Sequence, residues 1–234
     1  NDRRETIVQQ LTVCQRGAQN RAMNHLAERR LEERERRRSD ILDAAEAVAA
    51  EVGIETLTMD QVARKARLSR ALLYVYFQDK AALTLGICER ALQQLGDHFE
   101  AAVAAHARGQ DQVVACGRAY VSFALAHPVR FATLARFESR APDAAPQAAH
   151  DACIEAGDRS QSILVAAIAR GREDGSIRRD AGDPVLVGFT LWGLMHGIIQ
   201  LTMVKRGELE RCGVTPEGLV EQAFALATRA IGGP

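Results

Sequence analysis

Between Thr58 and Lys80 the chain gathers five cations, Arg64, Lys65, Arg67, Arg70 and Lys80, opposed nearby only by Asp60 and Asp79. The same stretch carries two hydroxyls in capping positions, Thr58 and Ser69, and the phenols of Tyr74 and Tyr76. Charge, hydroxyls and helix-start amides are what hold phosphates, and an arginine near them can read a base edge. Taken singly, Arg64 and Lys65 would serve equally as a solvated charged face. A second group lies far downstream. Trp192, Met195, His196 and Ile199 follow i, i+3, i+4, i+7 spacing and share one helix face. An indole N–H and an imidazole on an apolar wall could orient a small molecule, with Phe123, His127 and Phe131 closing the other side. The competing role for this stripe is solid core, and Met195 is read as core.

The first group needs two short helices and a tight turn to position it. Thr58 is an N-cap with Gln61 three residues on, a capping box, and Val62, Ala63 and Ala66 give one apolar face. Ser69 caps a second helix, on which Leu73 and Phe77 lie one turn apart. Arg67 and Leu68 leave room only for a tight turn between them. Such a pair presents the start of its second helix outward, as a helix-turn-helix reader of DNA does. Thr58 and Lys80 are the expected phosphate contacts. Arg70 is the expected guanine contact, or failing that a phosphate contact, with Tyr74 and Tyr76 on or near the exposed surface.

The run SRALLYVYFQDKAAL, preceded by TMDQVARKARLS, resembles the signature of the TetR (tetracycline-repressor) family of bacterial transcriptional regulators. Ser69, the pair Ala71-Leu72, Leu73-Tyr74, Tyr76-Phe77 and Lys80 stand at the family's positions. Two residues depart from it. Arg67 occupies the usual turn glycine, which implies a different turn geometry. Ala71-Leu72 replaces the common Gly-Thr or Gly-Ser pair, which removes a hydroxyl. AHPVRFATL with LWGLMHGIIQL resembles the family subgroup whose effector domain carries a Trp followed by His-Gly, here Trp192, His196 and Gly197. The resemblance implies DNA contacts over the motif 58–77, by Thr58, Ser69, Arg70, Ala71, Leu72, Tyr74 and Tyr76, and by Lys80 beyond it.

The rest of the 234 residues fits an all-α chain: hydrophobic residues make up 47%, mostly Ala and Leu, and aromatics 5%. Net charge is zero, so DNA affinity must come from local clusters. Residues 1–35 read as an N-terminal extension, partly helical or disordered, in which Ile7, Leu11, Ala18, Ala22 and Leu26 recur at roughly helical spacing. The arginines that follow, Arg36, Arg37 and Arg38, would either reach DNA or form a solvated lead-in. Residues 36–80 read as the DNA-binding domain, its first helix over 40–53 stopped by Gly53, and 81–234 as a bundle for effector binding and dimerisation. Helices are expected over 80–106, 111–127, from Pro128, 147–171, 184–204 and 216–231. Gly109 is read as a break and APDAAP as a loop.

Enzyme chemistry finds little footing. No histidine pair has HxxxH spacing, Ser122, Ser160 and Ser162 lack a nucleophile elbow, and Asp111, Asp151 and Glu155 read as caps and solvated faces. Five scattered cysteines, without ligand spacing, suggest a reduced cytoplasmic setting and mostly buried packing roles. No catalytic residue, metal or cofactor is expected, and the apolar runs are read as broken by charge before membrane-spanning length. The expected function is a homodimeric regulator, a repressor released from a palindromic double-stranded operator by a hydrophobic effector. Two alternatives stay open: a DNA-binding regulator without a small-molecule ligand, and a helical carrier or enzyme whose first helices only resemble a DNA reader.

Overall fold

The computed structural model of the protein describes residues 2–137 and 147–233. Among them there is no strand, and the chain forms two compact units, Asn1–Phe77 and Gln78–Pro234. The expected loop at 141–146, and the side chains of Ile7, Leu11, Cys14, Ala18, Ala22 and Leu26, lie outside what is described.

In the first unit, α1 (Asp2–Val52) runs without the expected break before Asp40. Gly53, at φ +84°, ends it in the left-handed conformation that glycine adopts without a Cβ clash. Ile41, Leu42, Ala45 and Val48 are buried along one stripe, joined by Leu57 from the connection, but Val52 is 40% exposed and falls off the stripe. α2 (Met59–Lys65) contributes Met59, Val62 and Ala63, and α3 (Arg70–Tyr76) contributes Leu73. α1 packs on α2 and α2 on α3.

In the second unit, α4 (Lys80–Ala104) buries Leu83, Ile87, Ala91, Leu95 and Phe99 on its inner face, as the spacing suggests. It packs on α5 (Gly109–Ala126), α6 (Pro128–Phe137) and α7 (Gln147–Glu173). Gly109, read from sequence only as a break, opens α5. A Cβ there would lie 2.0 Å from the Gly171 amide nitrogen, so two glycines let α5 and α7 touch backbone to backbone. The start of α5 is held from afar: Asp174 Oδ2 accepts the Gly109 N–H at 2.8 Å and Ser176 Oγ the Gln110 N–H at 3.0 Å.

After a single 3₁₀ turn come α8 (Pro184–Val204), the short α9 (Arg206–Arg211), which the sequence reading missed, and α10 (Pro216–Ile231). Asp183 caps α8 and Thr215 caps α10, each with proline at the first helical position. The expectation that charge interrupts every long apolar run is wrong for α8. Its 21 residues include no Asp, Glu, Lys or Arg, and it is long and apolar enough to cross a membrane by length and composition. Its two sides explain that composition. Val187, Met195 and Ile199 face the core of the unit, while Leu186 (68% exposed), Phe189 and Val204 form an outward apolar surface.

Candidate functional site

The helix-turn-helix is built by local hydrogen bonds. Thr58 Oγ1 accepts the Gln61 N–H at 3.3 Å, and Gln61 Oε1 accepts the Thr58 N–H at 2.8 Å, closing the capping box. At the other end of α2, Leu68 N–H donates to the Ala63 carbonyl (2.9 Å) and Arg67 N–H to the Arg64 carbonyl (3.2 Å), the two bonds of a Schellman stop. That stop requires a left-handed residue, and Arg67 takes it at φ +55°. The expected change of turn geometry is therefore absent: arginine adopts the glycine conformation and carries its strain. Ser69 Oγ accepts the Leu72 N–H at 3.2 Å and starts α3.

On α3, Leu73 and the following Phe77 point inward, and Arg70, Ala71, Leu72, Tyr74 and Val75 are exposed. Tyr76 is half-buried, and Lys80 opens α4, where its carbonyl accepts the Thr84 hydroxyl at 2.8 Å. Val75, 69% exposed, belongs to this surface and was missed from sequence because nothing in its type marks it for DNA. The basic cluster is partly paired. Arg70 Nε lies 2.6 Å from Asp60 Oδ1, and Lys65 Nζ lies 2.7 Å from Glu51. Arg70 must therefore exchange Asp60 for any other acceptor. The arginines ahead of the domain are engaged too: Arg36 and Arg37 pair with Glu33, and the Arg38 guanidinium sits 5.6 Å above the Phe77 ring. A shallow groove beside the end of α3 is lined instead by Arg29, Arg30, Glu33 and Arg34 of α1, with Val75 and Tyr76.

The second unit encloses a cavity of about 240 Å³. Leu92 and Leu95 from α4, Cys116 and Tyr120 from α5, Gln161 and Leu164 from α7, Trp192 and Met195 from α8, and Phe224 and Ile231 from α10 help line it. Trp192 is thus on the wall, but the rest of the expected lining is corrected. Met195, read as core, reaches the cavity. Phe123, Phe131 and Ile199 are at most 2% exposed and are taken up in solid packing. His127 turns to Gln94, with Nε2 3.2 Å from its amide nitrogen. His196 stands behind the wall, its Nδ1 2.7 Å from Tyr120 Oη, and Trp192 Nε1 donates to the same hydroxyl at 3.3 Å. Burial lowers the imidazole's pKa. A neutral His196 accepting from Tyr120, which accepts from Trp192, satisfies all three groups in one direction.

Cys116 on the wall is no nucleophile, because burial pushes its thiol up to about 12. Among the described residues no group of three His, Cys, Asp or Glu could hold a metal ion.

Residues 41–87 match the family model described as bacterial regulatory proteins, tetR family, and residues 113–227 match that of a tetracyclin repressor-like C-terminal domain. No curated protein is detectably similar. Among solved structures, a protein of unknown function from Rhodococcus sp. RHA1 is 28% identical with a TM-score of 0.69, over 84% of this chain and 95% of that one. The TetR family transcriptional regulator PfmR from Thermus thermophilus is similar in fold, at 23% identity and TM-score 0.60, over 82% of this chain and 96% of its own. A bacterial regulatory protein in the tetR family from Rhodococcus RHA1 has a TM-score of 0.65 at 16% identity, over 85% and 98% of the two chains.

Proposed function

The chain belongs to the tetR family of bacterial regulatory proteins and is a DNA-binding transcriptional regulator; on that premise we propose that it is a homodimeric, non-enzymatic cytoplasmic repressor released from a palindromic operator by a small, mainly apolar effector. The observation that carries the reading is the exposed α3 face of Arg70, Ala71, Leu72, Tyr74 and Val75, presented by a fully capped helix-turn-helix. Arg70 reads a guanine edge after leaving Asp60. Tyr74 and the apolar side chains pack against base methyls or sugar, and Thr58, Ser69 and Lys80 hold phosphates.

A two-fold dimer meets two half-sites, hence the palindrome. The outward faces of α8 and α10 are the dimer surface. Gly193 and Gly197 are open and permit close approach, whereas Gly188 packs inward on Gln161 and Val165 and takes no part. On α10, Leu226 and Ala230 face outward and Ala223 inward. Only Phe77, Gln78 and Asp79 separate α3 from α4. An effector that prefers one arrangement of the bundle, and with it of α4, thus changes the spacing of the paired recognition helices, to the extent of its differential affinity.

The test is Arg70→Ala measured against every single-base variant of a selected operator. A guanine contact gives a penalty of about 1–3 kcal/mol that vanishes at one position per half-site. Uniform weakening at all positions would reduce Arg70 to a phosphate contact, and no weakening would remove it from the interface.

A further inference from the structure

The polar atoms on the wall of the α4–α10 cavity are few, and most are satisfied within the protein. Ser160 Oγ donates to the Leu92 carbonyl at 3.2 Å, and the Trp192–Tyr120–His196 chain is closed on itself. Gln161 is the exception. Its Nε2 is buried and meets no acceptor among the described residues. Gly188 gives it room, since a Cβ at that glycine would lie 3.0 Å from Nε2. A buried donor without an acceptor is a standing cost that a ligand acceptor would remove. The wall also sets a charge limit. It includes no Lys, Arg or His, and its single carboxylate, Asp158, is exposed. Nothing there would offset burial of a carboxylate or phosphate.

We propose that the cavity binds a neutral, mainly apolar molecule with one hydrogen-bond acceptor, a ketone, aldehyde, ester or lactone carbonyl, to which Gln161 Nε2 donates. This rests on the reading of the cavity as the effector site and narrows it to a chemical class. Fatty carboxylates and phosphorylated compounds of the same length are excluded by the missing cation. Cationic amphiphiles gain nothing from Gln161, which already has a free donor and needs an acceptor.

Calorimetric titration of the full chain with 2-octanone, octanoate and octylamine at pH 7.5 tests the assignment, alongside Gln161→Met, which keeps side-chain length but removes the amide. The wild type should bind 2-octanone at least tenfold more tightly than either charged probe. Gln161→Met should lose at least tenfold in 2-octanone affinity while its melting temperature stays unchanged or rises, because an unpaired buried amide has been removed. Octanoate or octylamine binding as tightly as the ketone, unchanged ketone affinity in Gln161→Met, or no 2-octanone binding at millimolar concentration would each overturn the proposal. Operator release, followed separately, tells the two readings apart. Gln161-dependent ketone binding that leaves operator bound would sustain this site and remove its regulatory role. Release by octanoate independent of Gln161 would do the reverse.

Discussion

Arg67 occupies a left-handed turn position at φ +55°, where a side chain costs on the order of 1 kcal/mol that glycine does not. Arg67→Gly should raise the unfolding free energy by about 0.5–1 kcal/mol in a urea titration, the relieved strain less the extra chain entropy of glycine. A fall in stability would show that a contact of the Arg67 side chain outweighs the strain. His196 gives a prediction of opposite character. Burial holds its imidazole below the usual value, so the unfolded chain takes up a proton more readily than the folded one. Its neutral form is fully tolerated above the ordinary value of about 6.5, and stability falls as pH drops through and below it. His196→Phe should flatten the stability difference between pH 8 and pH 5.5; an unchanged slope would assign the acid limb to other groups. Residue-scale chemistry was legible where partners are local. Thr58, Gln61 and Ser69 find theirs three residues away, and their caps could be read off the chain. Gln161 could not, because its significance is the lack of an acceptor in three dimensions.

Helices α4, α7, α8 and α10 announced themselves through apolar periodicity or prolines at their starts, and their limits fall within a few residues of the sequence reading. The beginning of α5 did not. Its cap, Asp174, is 65 residues downstream, and its glycine is needed for contact with Gly171 rather than for a turn. Hydrogen bonds from the Ser176 side chain, and then from the Gly109 and Ser176 amides, hold the Asp174 carboxyl below its usual range. The stabilisation is therefore present above the ordinary carboxyl value and is lost as pH falls through the depressed one. Asp174→Asn should lower the melting temperature at pH 7, with the gap to wild type narrowing toward pH 3. A gap independent of pH would mean that geometry rather than charge holds α5. The cavity was the least legible element. A periodic stripe on α8 is the same whether it meets packed side chains or a void, so the sequence placed Trp192 correctly and misplaced Phe123, Phe131 and Ile199, which close the core instead.

For the molecule as a whole, the outward face of α8 is the largest feature that one subunit leaves unexplained. Leu186 and Val204 are 68% and 70% exposed at its two ends. An apolar surface of this kind on a single chain marks an interface. Sedimentation at micromolar concentration should give about twice the 25.5 kDa of the chain. Leu186→Asp with Val204→Asp should return it to one subunit without unfolding it, since neither side chain is in the core; a wild-type particle of one subunit would remove the dimer and with it the palindrome. The central claim, that the exposed face of α3 reads a specific DNA sequence, is tested most directly by selecting genomic fragments on the purified protein at moderate salt and sequencing those retained. A small set of fragments sharing an inverted repeat is expected, with retention abolished by the pair Arg70→Ala and Tyr74→Ala in a protein that remains folded. Retention without a common sequence, or a repeat still selected by the doubly substituted protein, would contradict it.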